Sequence, residues 1–585
     1  MHMKPGKLTV EHGLYCLAFF LALGVRFLAL GTSFLSDQEA NWALQAFNLA
    51  QNSHTLIGTQ PAYILLTSVL FYLLPSSEWL ARFWPALAGS LLALSPFLFR
   101  KQLGKTAALC VAFFLALDPG MVAVSRQADG SMLAVTFVVL AFGFYLQNEP
   151  AWMGICCGMA ALSGSELWPG LLGLALIAGW FALLKPADAE SRPAKTTEDG
   201  SQSSQDITPP LAWSKVLVWT AATLFIVGTG FFFAPQGLGA IFTGLAAYLK
   251  GWAVFPAFTP LRMLSALLVY SPLTFLLGLA GIVSGFVRGD KVGGFLARWM
   301  LVALLLAIFY PGRQVSDLIW PLIPMLALAA REIVRIHLEE FGDWYISLGQ
   351  MALIFALLAF TWLNVSWLVN ANPGGLGMQD AQLHLAAIAG ALLLIVVISV
   401  LVVWGWSLRA AVSGLAGAIG LILIIFTFSG TFNAAGLGHA PSTELWRSSP
   451  YVQEGNLLMT SLGDISEWNT GRRDWLDLSV ISLPSPSLHW ALRNWNNVIF
   501  IEQIPPDAKS SLVITQDQKS LSLGASYTGQ SFALGQLVNW SKTQPSAWLN
   551  WFMFRDAIND QDIIVLWVRS DLFPSAGPTT TPHYP

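Results

Sequence analysis

Charge is what this chain has least of: only 11% of its 585 residues are Asp, Glu, Lys or Arg, about half the share of a soluble domain. The 30 basic and 33 acidic residues leave a formal net charge of −3, so no basic field speaks for nucleic acid. Cysteine is scarce too. Cys16, Cys110, Cys156 and Cys157 all lie in apolar segments and the polar C-terminal region has none, which excludes a disulfide framework and a Cys-based zinc site. That region also holds no glycine-rich phosphate loop and no Ser/His/Asp set with recognisable spacing. No His/Asp cluster has metal-ligand spacing, and His54 stands alone in a loop. No short-period repeat is present.

What fills the chain instead is apolar: 55% of it is hydrophobic and its mean hydropathy is +0.60. The 25 Trp and 37 Phe suit membrane–water interfaces, where a ring is half wet. The first apolar run, Gly13 to Leu30, is too long for a signal-peptide core and reads as a retained first span. Spans are expected near 13–31, 80–99, 106–124, 131–147, 151–165, 167–184, 214–234, 262–286, 297–310, 318–335, 346–370, 384–405 and 409–430.

Topology turns on Pro61–Leu74, whose length suits an interfacial or re-entrant segment better than a span. Read as interfacial, it places Arg100–Lys105, the 185–213 stretch, Arg288, Lys291, Arg298, Arg331 and Arg335 on the same side as Lys4 and Lys7. The positive-inside tendency makes that side cytoplasmic. Residues 31–77 then form a long outer loop with interfacial helices. Residues 185–213, rich in Pro, Ser and mixed charge, read as a disordered cytoplasmic loop.

From about Asn433 the chain turns polar. LDLSVISL, NVIFIEQI, SSLVITQ and DIIVLWVR read as strands, with helix-compatible SLHWALRNW and SAWLNWFMFRD between some of them. The expected architecture is an all-α polytopic membrane bundle over 1–432, with about 13 transmembrane helices, and a small extracytoplasmic α/β domain over 433–585. The N-terminus is expected in the cytoplasm and the protein in the plasma membrane.

Two polar clusters fall on the outer side of this topology. In Ser36-Asp37-Gln38-Glu39 a carboxylate beyond the first span is placed to take a proton from a hydroxyl nucleophile; S-x-x-E is equally a capping box that starts a helix. In Ser125-Arg126-Gln127-Ala128-Asp129, Asp129 caps the fourth span or shares a site with the first cluster. Ionisable residues at a membrane edge are costly and are functional candidates by default. Arg26, in the outer half of the first span, belongs with them unless it snorkels to the surface. In the polar domain Arg493 is placed to hold an acceptor or pair with a membrane phosphate, and Trp490 and Trp495 to stack on a ring, or else Trp490 is core and Arg493 a solvated cap.

The stretch from Gln60 to Phe142 resembles the N-terminal half of GT-C membrane glycosyltransferases. The similarity is to family 39, the protein O-mannosyltransferases and aminoarabinose transferases, and to flippase-associated proteins of archaeal N-glycosylation. It rests on an acidic first outer loop, a Pro-led interfacial helix, Glu78-x-x-x-Arg82 before the second span and the basic turn Arg100–Lys105. A P-x-x-V-x-x-S-R-x-x-x-D pattern is approximated by Pro119 to Asp129. PGRQVSDLIWPLIPMLALAA is similar to the loop and span before the family's C-terminal half.

That resemblance implies inverting transfer from a polyprenyl-phosphate sugar to a protein, lipid or glycan acceptor. Asp37 or Glu39 is then the base and Asp129 the second carboxylate. Arg82, Arg126 and Arg313 are the candidates for the leaving phosphate, each of which also reads as a headgroup anchor. No cofactor is implied with certainty, although the class admits a divalent metal. Two departures stand out: Gln38 splits a pair that is commonly Asp-Glu, and Gln60 is neutral where the family often has His or Lys. They open an alternative, a non-catalytic accessory or transporter-like protein for lipid-linked glycans; a membrane scaffold whose outer domain binds a partner is a third.

Overall fold

A computed structural model describes residues 9–53, 56–183, 211–338, 344–370, 378–438, 443–503, 509–517, 525–538, 545–557 and 559–573. His54 and nearly all of the 185–213 stretch lie outside them. The chain is an integral membrane protein. Among the described residues six helices are long and apolar enough to cross a bilayer, or up to nine if each of three bent pairs is one span. Pro61–Leu73, Ser131–Leu146 and Trp213–Gly228 are shorter apolar helices. Length alone therefore gives fewer spans than hydropathy suggests, because several apolar runs are broken.

The breaks have a local cause. Proline lacks the N–H that an interior helical turn requires, so Lys105–Leu117 ends before Pro119 and restarts as Pro119–Ser125 at 53°. Asp118 caps the restart by accepting from the Met121 N–H at 3.0 Å. Pro260–Tyr270 and Pro272–Val287 meet at 104° in the same way. The two breaks are tied, since the Ser271 hydroxyl donates to Asp118 at 2.6 Å. Pro61–Leu73, expected at the membrane surface, buries Ala62, Tyr63, Ile64, Leu65 and Thr67 in the main core; only its last turn, Tyr72 and Leu73, is exposed.

The polar C-terminal region is a five-stranded sheet with helices against it. Its strands are β1 (Leu478–Ile481), β2 (Val498–Ile501), β3 (Leu512–Gln516), β4 (Tyr527–Val538) and β5 (Asn559–Arg569), in the order β2-β1-β3-β5-β4. β1 runs parallel to β2 and β3, while β5 is antiparallel to β3 and β4. Leu478, Val480, Leu512, Ile514, Leu566 and Val568 bury one face with Leu458 and Leu462 of the helix Gly455–Thr470. Four strands are those expected; β4 and the helix Gly455–Thr470 are not. Gly529 and Gly535 weaken β4 as a sequence signal. In the fold Gly529 pairs across from Trp567, and a Cβ there would sit 2.8 Å from the indole, so the glycine makes room for the ring.

Candidate active site

The helix Asp37–Ala50 starts with the capping box expected from Ser36 and Glu39. Glu39 does more than cap. Its carboxylate takes the Arg82 guanidinium in a fork, Nε to Oε1 at 2.8 Å and Nη2 to Oε2 at 3.0 Å. It also accepts from the Ser36 N–H and hydroxyl, both at 3.0 Å. The Ala128 N–H reaches Oε1 at 3.0 Å, so Glu39 joins the two clusters. Arg82 spends its remaining donors on Leu30 O, Ser33 O and Oγ, and Phe34 O. The pair is nearly inaccessible, with 3% and 7% of the two side chains exposed. Burial by itself raises the Glu39 carboxyl, but the charge and hydrogen bonds of Arg82 outweigh it and hold the group at about 2.

Two arginines exchange helix caps nearby. Arg126 donates to Val25, Arg26, Leu28 and Ala29 carbonyls at 2.8–3.1 Å, closing the end of the helix Val10–Phe27. The fully buried Arg26 donates to Leu115 O at 2.8 Å and Ala116 O at 2.9 Å, closing Lys105–Leu117. Cations belong at such carbonyl-rich ends.

Asp129 is in a different state. It is buried, and its Oδ1 accepts from the Ser131 N–H at 2.9 Å. Burial, then the negative charge of Glu166, and more weakly that of Glu39, push its carboxyl up to about 8.

The segment after the last span closes the site. A Cβ on Gly120 would come within 2.4 Å of the Trp446 ring; glycine there lets that indole seat on the helix Pro119–Ser125. Gln127 donates to Trp446 O at 3.1 Å, and Arg262 to Arg447 O at 2.9 Å. Ser449 donates to Gln38, which donates onward to Gln314 at 3.1 Å. Tyr270 donates to Glu444, whose carboxylate also faces Arg555.

Together these elements enclose a cavity of about 270 Å³ with Glu39, Arg82, Arg126, Asp129, Glu444 and Arg447 in its wall. Most of these charges are committed to protein partners. Arg447 is the exception. Its guanidinium lies over the Tyr451 ring at 5.0 Å and makes no hydrogen bond to any described residue. Burial pulls it below its ordinary pKa, even with Glu39 nearby. No motif marks Arg447 in the sequence; the one signal is an arginine early in the polar region that follows the last span.

Asp37 and Arg313 are not in that wall. Asp37 Oδ1 accepts from the Ser485 hydroxyl at 2.7 Å and the Ser487 N–H at 2.9 Å, capping the helix Pro486–Ala491. That helix buries Trp490 completely, its indole N–H on Glu78 at 2.9 Å. Arg493 lies over the Trp490 ring and donates to Ser76 Oγ at 3.0 Å. Both side chains thus dock the polar region onto Ser76 and Glu78, before the second span. Arg313 donates to Phe258 O at 2.6 Å and Ile308 O at 2.8 Å. Among the described residues no group of three His, Cys, Asp or Glu is arranged to hold a metal ion.

No protein family and no curated protein sequence matches this chain. Among solved structures it is similar to ArnT from Cupriavidus metallidurans bound to undecaprenyl phosphate, with a TM-score of 0.50 at 14% identity over 96% of this chain and 99% of that one. The same protein in its apo state gives 0.52 at 12% identity, over 95% and 98%. The Archaeoglobus fulgidus oligosaccharyltransferase in its apo form gives 0.45 at 14% identity, over 85% of this chain and 64% of that one. The chain has the fold of the GT-C membrane glycosyltransferases, which the likeness to ArnT carries.

Proposed function

We propose that this protein is a membrane glycosyltransferase that moves a sugar from a polyprenyl-phosphate donor to an acceptor hydroxyl on the outer face of the membrane. The observation that carries the reading is that Asp129 and Arg447 line one cavity. The first is a buried carboxyl pushed well above its ordinary pKa, the second a guanidinium without an acceptor among the described residues. A guanidinium left unpaired in a part-buried site matches a phosphate, whose oxygens accept in its fork geometry. Support also comes from the shared fold of ArnT, solved with undecaprenyl phosphate.

In this reading Asp129 takes the proton of the acceptor hydroxyl as its oxygen attacks the sugar's anomeric carbon. The bond from that carbon to the phosphate oxygen breaks with inversion, and polyprenyl phosphate leaves with the electron pair. Arg447 neutralises the charge that develops on it, a kind of stabilisation that is often the largest catalytic contribution. Arg82 and Glu39 act as positioning residues, because their mutual fork leaves neither free for substrate. Arg126 holds the first span against the second cluster. The polar domain, docked through Asp37 and Trp490, is the extracytoplasmic lid over the cavity mouth, and residues 1–432 form the catalytic bundle.

The engagement of both first-loop carboxylates favours a second reading, a non-catalytic protein that holds lipid-linked glycans in the same cavity. One assay separates them. The purified protein in lipid nanodiscs is given undecaprenyl-phosphate sugars and a mixed acceptor pool, and release of undecaprenyl phosphate is followed. Release that falls about 10²–10⁴-fold in Asp129→Asn supports the transferase. Donor binding without release in the wild type supports the second reading.

A further inference from the structure

At the far end of the bundle from this cavity lies a second one that the transfer reaction does not use. The helix Ile319–Leu338 starts beside Gln314, which is bonded to Gln38 at the first site. Arg331 and Arg335 lie roughly 18–24 Å further along it at 1.5 Å per residue. There they meet Arg288 and Asp290 of the turn between Pro272–Val287 and Lys291–Phe309. The space between them is about 300 Å³ and is walled by Gly281, Gly285 and Gly293 as well as the charges. The chain can turn this tightly only without side chains: a Cβ on Gly285 would lie 2.8 Å from the Gly293 carbonyl oxygen.

The charges in this wall do not cancel. Asp290 accepts from Arg331, and Glu332 pairs with Arg335 at 2.6 Å. Arg288 has no carboxylate partner among the described residues, and the second terminal nitrogen of Arg331, Nη1, is buried without an acceptor. A buried charged donor with no acceptor is costly, and an anion would offset that cost. Beside the cavity the helix Pro272–Val287 turns apolar side chains outward, with Val283 63% and Val287 79% exposed. Lys291 lines a groove with Gln102 and Leu103 of the basic turn Arg100–Lys105, the distribution of a cytoplasmic face.

We propose that this cavity binds the phosphate of an anionic phospholipid headgroup from the cytoplasmic leaflet, its acyl chains lying along Val283 and Val287. The chemistry recognised is a phosphate ester taken by Arg288 and the free edge of Arg331. Basic pockets between spans at the cytoplasmic side suit such headgroups. The site stands independently of the transfer chemistry, since its residues are separate from the catalytic cavity.

Native mass spectrometry of the full chain in detergent tests this, with phosphatidylglycerol or phosphatidylcholine added and counted as retained adducts. Phosphatidylglycerol should be retained in preference, and Arg288→Ala should lower its retention roughly fivefold, the equivalent of about 1 kcal/mol for one arginine near an anionic surface. Arg288→Lys, which keeps the charge, should lose less. Arg288 is exposed, so its removal leaves the bundle folded, and unchanged melting confirms that arm. Equal retention of the two lipids, or wild-type retention in Arg288→Ala, overturns the proposal. Displacement of the lipid by millimolar inorganic phosphate, with no dependence on acyl chains, overturns the lipid assignment and leaves a free-phosphate site.

Discussion

Asp37 accepts the backbone N–H of Ser487 at 2.9 Å across 450 residues of sequence. The loop after the first span thereby caps a helix of the polar C-terminal region. A carboxylate at a helix N-terminus satisfies orphan donors and meets the positive end of the dipole. The Ser485 hydroxyl takes the same oxygen, so Asp37 acts as a joint between the two parts of the chain.

Removing that joint should loosen docking. Asp37→Ala is expected to lower stability by about 0.5–2 kcal/mol, the range for losing a helix cap, and to raise protease cutting around residues 482–486. Donor binding should stay near wild type. Limited proteolysis with a parallel melt reads both; an Asp37→Ala protein with unchanged stability and proteolysis but no transfer would return Asp37 to the role of base.

The Arg82–Glu39 fork should be far more costly to break. Either Arg82→Ala or Glu39→Gln leaves a buried partner uncompensated, which costs roughly 3–5 kcal/mol. Because the folded Glu39 carboxyl sits near 2, below its ordinary value, its contribution is fully present above about pH 4.5 and is lost as pH falls towards 2. Thermal melts of the wild type and Glu39→Gln at pH 7 and pH 4 check this: the gap between them should narrow at the lower pH. A Glu39→Gln protein as stable as wild type at pH 7 contradicts the positioning role.

Asp129 carries the opposite sign. Its carboxyl is pushed up to about 8 by burial and the neighbouring Glu166 charge, so the protonated form suits the fold, and its contribution to stability is lost as pH rises from the ordinary carboxyl range to about 8. The base form, however, appears only as pH passes through about 8. Transfer rate should therefore climb between about pH 7 and 9, whereas the decline in melting temperature should fall between about pH 4 and 8 and level off above it. A rate profile that is flat from pH 6 to 9, with chemistry rate-limiting, argues against Asp129 as the base.

Much of this could be read in the chain. The apolar runs gave the bundle, and Ser36-x-x-Glu39 gave the helix start because a capping box is a local pattern. The two acidic clusters do meet, through Glu39 and the Ala128 N–H. What could not be read depends on partners distant in sequence. Asp37 looks like a base until Ser487 is placed beside it, and Arg82 and Arg126 look like phosphate ligands until Glu39 and the carbonyls of residues 25–29 take their donors. Arg447 carries no motif; it matters because Trp446 beside it is seated on Gly120 and leaves the guanidinium in the cavity wall. β4 was hidden by Gly529, which admits Trp567, and by Gly535, which lies against Asp562.

The central claim is that this cavity receives a lipid phosphate through Arg447, and binding of undecaprenyl phosphate tests it most directly. Titration into the wild type and Arg447→Ala, with undecaprenol as the phosphate-free control, gives the comparison. Loss of a charge-assisted contact of about 1.5–3 kcal/mol predicts roughly 10–150-fold weaker binding in Arg447→Ala, and the two proteins should bind undecaprenol alike. Equal affinity of both proteins for undecaprenyl phosphate would contradict the account.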